Sequence, residues 1–140
     1  MADIVYTKFL EKLNQKLLDL DSDDIKCVLL TSSYTPNKDH DFYSDLTNEV
    51  VGTGYTAGGA SLANTAVTSS DTSDTAWFDS DDVLWTTATI TARYAVLYDN
   101  TRTEKDLITC YDFGSDKSST GGDFKVIPDA TFGWYKIAQG

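Results

Sequence analysis

One hundred and forty residues suffice for one ordinary domain with a real core and leave little for a second of comparable size. Eleven Lys and Arg stand against twenty-two Asp and Glu, a formal charge of −11, and nineteen of those acids are Asp, a residue of turns and strand ends. A surface of that sign repels nucleic-acid phosphates and anionic lipid headgroups, so neither a nucleic acid nor a membrane is expected as a partner.

With 41% apolar and 12% aromatic residues the chain is too rich for disorder, and no window nears the roughly 18 consecutive apolar residues of a membrane span. A soluble folded domain is expected. Met1 to Tyr6 lacks the basic start and apolar middle of a secretory signal, so synthesis in a cell's cytoplasm is the expectation.

Residues 4 to 20 carry a helical period: Tyr6, Phe9, Leu10, Leu13, Leu17 and Leu20 recur at three- and four-residue steps, with Lys8, Glu11, Lys12, Asn14 and Gln15 on the other face. This predicts one amphipathic N-terminal helix, capped by Asp3 and docked on its own domain or received by a partner chain. Residues 1–22 are accordingly read as a helix or arm and 23–140 as the β-domain, a single domain overall.

From Ile25 the pattern changes to short segments rich in β-branched and aromatic residues between polar turns. Ile25 to Ser32 reads as a strand with Ile25, Cys27 and Leu29 on one face. Glu49–Val51 and Ala63–Thr68 are weaker strands, followed by Thr75–Phe78 and Val83–Trp85. Ile90 to Asp99, with Ile90, Ala92, Tyr94, Val96 and Tyr98 at a period of two, predicts a central strand, and Leu107–Phe113, Phe124–Ile127 and Phe132–Ile137 complete the set. About eight short strands after one helix predict a mainly β fold, a β-sandwich or jelly-roll-like barrel. No crossover helices follow residue 20, which excludes a parallel α/β fold.

The chemistry-bearing residue types are sparse. His40, the single histidine, sits in the polar loop Pro36-Asn37-Lys38-Asp39-His40-Asp41 and reads as an exposed imidazole. Cys27 and Cys110 lie 83 positions apart with no Cys-x-x-Cys spacing, so buried free thiols are expected rather than a zinc site or a disulfide. Gly52-Thr53-Gly54-Tyr55-Thr56-Ala57 fits a relaxed dinucleotide fingerprint only formally, because Gly58 and Gly59 continue a glycine-rich segment where a helix should open. Residues 52–61 are read as a long turn or exposed loop approaching another backbone closely. The repeated tetrads Asp21-Ser22-Asp23-Asp24 and Asp79-Ser80-Asp81-Asp82 fail both EF-hand registers and read as turn aspartates entering strands, with calcium between loops as the rival. Trp77, Trp85 and Trp134 are either core or a glycan-stacking surface, packing being favoured. No cofactor, metal or catalytic residue is assigned.

Three segments together resemble a family of small virion proteins of tailed bacteriophages: Ile25 to Pro36, Asn48 to Gly59, and Thr89 to Val96. Tyr111 to Asp116 and Gly121 to Phe124 extend the likeness, which runs from Val5 to about Ile137. The resemblance implies a structural component of the particle, attached to a head or tail lattice, and brings no catalytic motif. The expectation drawn from it is a capsid decoration or cement protein on the outer surface of the head. Its expected partners are the major capsid protein and further copies of itself, as a homo-oligomer such as a trimer. Phe9, Leu13 and Leu17 of the helix and Gly52, Gly54, Tyr55, Gly58 and Gly59 of the loop are the expected contact residues. The alternative is a tail, baseplate or head-fibre module that binds a host glycan.

Overall fold

A computed structural model describes residues 3–139. The chain starts as strand β1, Ile4–Val5, and then forms the one α-helix of the described residues, α1, Thr7–Asn14. Seven strands follow: β2 Ile25–Leu30, β3 Ala60–Ser61, β4 Ala66–Ser70, β5 Thr75–Asp79, β6 Val83–Asp99, β7 Leu107–Val126 and β8 Tyr135–Ala138. They build two antiparallel sheets, one ordered β1-β7-β6-β2-β3 and the other β4-β5-β8. The mainly β expectation therefore holds, in its sandwich-like form: the described strands do not close into a barrel.

The helix is shorter than its apolar stripe. Ile4 and Val5 pair with Cys110 and Thr109 as an edge strand, and Asp3, expected as the cap, instead accepts the Asp112 amide at 3.0 Å. At the other end Lys16 takes a left-handed φ of 62°, and the amides of Leu17 and Lys16 return to the carbonyls of Lys12 and Leu13. That pair of reversed bonds is a Schellman stop, here with Lys where glycine is usual. Tyr6 and Phe9 are fully buried, and the Phe9 ring meets Tyr135 of the small sheet edge-on at 5.3 Å. The N-terminal segment is thus part of the same core as the strands, joining both sheets.

Four predicted strands merge into two long ones. Val83–Trp85 and Ile90–Asp99 are one 17-residue strand, and Leu107–Phe113 and Phe124–Ile127 are joined by 114–123 into a 20-residue strand ending at Val126. Register shifts at Trp85/Ala88, Ala88/Ile90, Ala92/Tyr94 and Leu97/Tyr98 bend this hairpin without breaking it. Strand β2 pairs with β6 from Ile25↔Asp99 to Leu30↔Tyr94. Cys27 to Leu30 are all buried, so this strand is covered on both faces rather than on the one predicted.

Candidate functional site

The glycine-rich segment is held against the central pair β2 and β6 by close backbone contact. Beyond β2 the chain turns through Asn48, at φ 62°, and Glu49 and Val50 pair back onto Leu30 and Leu29. A Cβ on Gly52 would stand 2.2 Å from the Thr89 carbonyl oxygen, and one on Gly59, at φ +78°, only 1.9 Å from that of Cys27. The loop does approach another backbone closely, and that backbone is the chain's own.

One carboxylate organises it. Glu49 accepts the Tyr43 hydroxyl at 2.5 Å on one oxygen, and the Tyr55 hydroxyl at 2.7 Å and the Gly58 amide at 2.8 Å on the other. The Tyr55 oxygen in turn accepts the Leu29 amide at 3.1 Å, and Tyr98 donates to the Gly58 carbonyl at 2.6 Å. Burial raises the pKa of the Tyr43 and Tyr55 hydroxyls above the ordinary tyrosine value, and the Glu49 carboxylate raises it further, so both stay protonated donors. What the clasp leaves outside is Val51, 96% exposed, with Thr53, Gly54, Thr56 and Ala57.

The expected contact residues divide accordingly. Phe9 is wholly interior and is corrected from a contact to a core residue, because its ring fills the space between α1 and the small sheet. Gly52 and Gly59 face the chain's own carbonyls, Gly58 bonds Glu49 and Tyr98, and the Tyr55 hydroxyl points inward; of the loop set only Gly54 is exposed. Leu17 is 40% exposed, while Leu13 packs against the core and lines an open groove of about 290 Å³. Leu18, Leu20, Val67, Trp77 and Ile137 are among the apolar residues that also line it, with Asp19 and Asp21 on its wall as well.

His40 is corrected from an exposed loop residue to a half-buried one. Its Nδ1 lies 2.9 Å from the Tyr34 hydroxyl, which lies 3.0 Å from that of Tyr6, so the imidazole ends a hydroxyl chain that runs into the core. Cys27 and Cys110 are free and buried, and burial pushes the Cys110 thiol up to about 12. Trp85 and Trp134 belong to the core, while Trp77 is half-buried and meets Phe132 edge-on at 5.7 Å.

The two aspartate tetrads do different work. Asp79 accepts the Ser80 amide, Asp81 accepts Asn64 at 2.6 Å, and Asp82 lies 3.9 Å from the Lys125 ammonium, so the second tetrad is tied to its own turn, to the loop before β4 and to β7. The first lies against the β6–β7 hairpin turn. There Asp24 accepts the Asn100 side chain at 2.9 Å while its amide donates to Thr101 at 2.8 Å. Asp99 and Asp106 at the base of that turn are 0% and 1% exposed. Asp99 Oδ1 caps the amides of Thr101 and Arg102, and Asp106 Oδ2 holds the Arg102 guanidinium at 2.9 Å. Sequence reasoning passed over this pair; the available signal was an Asp at each end of a short polar turn between two apolar strands. Among the described residues no group of three or more His, Cys, Asp or Glu side chains converges as a metal site.

Compared with family models, with curated proteins and with solved structures, the chain matches none.

Proposed function

We propose that this chain is a structural protein of a tailed-bacteriophage particle, a decoration or cement protein that bridges neighbouring major capsid subunits on the outside of the head. The observation that carries the reading is the likeness of three separate stretches to small virion proteins, together with where those stretches lie. Ile25–Pro36 contains β2, Thr89–Val96 lies in its partner β6, and Asn48–Gly59 is the loop whose glycines sit on Cys27 in the one and on Ala88 and Thr89 in the other. The segments that resemble the family therefore form one unit, a glycine loop fixed on a two-strand base.

Such a unit suits lattice attachment. A loop already ordered by Glu49 loses little conformational entropy on docking, so a small patch around Val51 contributes more of its contact energy to binding. Repetition over a symmetric shell then multiplies a weak single contact. The −11 charge favours an outward station, away from packaged nucleic acid.

The test is copy number and location in purified particles. Mass spectrometry should find the chain at a copy number comparable to that of the major capsid protein, and an electron-microscopy map should place it on the outer shell. A few copies per particle, or density at the tail, would replace this reading with the tail or fibre one. The glycan form of that alternative rests on Trp77 and Phe132, the pair left outside the core.

A further inference from the structure

The β6–β7 turn holds a buried charge problem that the proposed function does not explain. Asp99 is fully buried; its Oδ1 is used by two backbone amides, and its Oδ2 has no hydrogen-bond partner among the described residues. The side chain that reaches Asp99 is another carboxyl, that of Asp23, from the acidic loop 19–24. The pairing Ile25↔Asp99, with the Asp24 carbonyl accepting the Asn100 amide and the Asp24 amide donating to Thr101, lays the acidic loop along this turn although the two are far apart in sequence. Two carboxylates cannot both be ionised at hydrogen-bond distance in a buried setting without a heavy penalty.

Neighbouring charges do not relieve it. Arg102 is committed to Asp106 and Glu104, and Lys105 to Asn100; Lys26 and Lys105 act on Asp24. Asp106, facing Asp99 across the hairpin, adds negative charge and carries its own unpartnered Oδ1. From the loop side Asp23 accepts only the Asp19 amide, at 3.2 Å, and Asp19 is itself paired with the carboxyl of Asp21.

We propose that the buried Asp99 keeps its proton and donates it to Asp23, and that this hydrogen bond is the latch fastening the acidic loop 19–24 to the β6–β7 turn. With the proton in place, one carboxyl donates to the other and the orphaned Oδ2 is satisfied. When it leaves, the two charges repel and the loop detaches at Asp23, opening the wall of the groove that Leu18, Asp19, Leu20 and Asp21 share with Val67 and Ile137. A divalent cation is the other way to satisfy facing carboxylates, but no third carboxylate converges on these two among the described residues, and calcium takes six to eight oxygens.

The sign follows from linkage. Burial, then Asp23, raises the folded pKa of Asp99 above its ordinary value of 3.8, so the native state holds a proton that the unfolded chain has released. The latch therefore contributes fully in acid, and its contribution falls as pH rises from the ordinary aspartate range through the folded pKa. Thermal denaturation of the whole chain from about pH 5.5 to about pH 8.5 should show the wild type losing a few degrees of Tm more than Asp99→Asn, whose amide supplies the missing donor at every pH. Asp23→Asn, at a half-buried loop site, should flatten the same slope and serves if Asp99→Asn does not fold. Amide-exchange protection at residues 19–24, taken relative to the intrinsic base-catalysed rate at each pH, should fall roughly tenfold across that range in the wild type and stay level in the variants. Parallel slopes in all three proteins would overturn the latch, because relief of the general negative charge acts on each alike. So would a rise in Tm at pH 8.5 on adding about 1 mM calcium alone, if either Asn variant abolished it, since that assigns the pair to a cation.

Discussion

Two carboxylates fasten loops to the same central strands, and they do so in opposite ways. Glu49 is only half-buried, yet three donors reach it and both its oxygens are used. Asp99 is completely buried and has one oxygen used and one facing Asp23. The glycine loop is consequently held by a carboxylate whose oxygens are both satisfied by donors, whereas the hold on the acidic loop depends on a proton. Depth of burial does not decide how permanent a loop's anchorage is; the count of satisfied oxygens does.

The largest effect that can break this comparison comes from the backbone under the glycine loop. Gly59→Ala would drive a Cβ into the Cys27 carbonyl at a φ of +78°, and neither partner is a flexible side chain. A loss of about 4 kcal/mol or more is expected by chemical denaturation. Gly114→Ala is the control, with a similar φ of +83° but nothing within 4 Å, and should lose only about 1 kcal/mol. Equal losses at the two positions would mean that backbone conformation, and not contact with β2, is what the loop requires.

Next in size is the clasp itself. Glu49→Gln keeps the shape but turns an NH2 group toward donors, and a loss of about 2 to 3 kcal/mol is expected. Tyr55→Phe removes the hydroxyl that joins Glu49 to the Leu29 amide and should lose about 1.5 kcal/mol. The double variant should lose less than the sum, because both changes dissolve one hydrogen bond. Additive losses would show the clasp to be two independent anchors.

How far such contacts are legible in the sequence depends on how local they are. The central strand is written in the alternation from Ile90 to Asp99, and the close approach of the loop in its glycines. The stretch 114–123 carries no hydrophobic period, being Gly-Ser-Asp-Lys-Ser-Ser-Thr-Gly-Gly-Asp; it is a strand because β6 offers it a ladder, a fact of pairing and not of composition. The stripe from Tyr6 to Leu20 marks burial at Tyr6, Phe9 and Leu20, but it misses the exposure of Leu10 and Leu17, the burial of Leu18 and the stop at Lys16, since a left-handed lysine leaves no mark on periodicity and shifts the phase beyond it. Asp23 and Asp99 come together only because the β2–β6 pairing lays the loop before β2 along the β6–β7 turn, so neither the tetrad nor the turn could reveal the pair alone.

The smallest effect sharpens the acidic side of the comparison at its entry. Lys16 occupies the left-handed position of the Schellman stop, where a side chain costs about 1 kcal/mol and glycine nothing. Lys16→Gly also gives the unfolded chain more freedom, which returns part of that gain. The net expectation is a stabilisation of about 0.5 kcal/mol, measured as a small upward shift of the denaturation midpoint. The pH slope assigned to Asp23 and Asp99 should be unchanged, because the lysine's departure alters how the helix ends and leaves the carboxyl pair as it was. A changed slope would mean that the loop is governed from its helical end, with the turn only following.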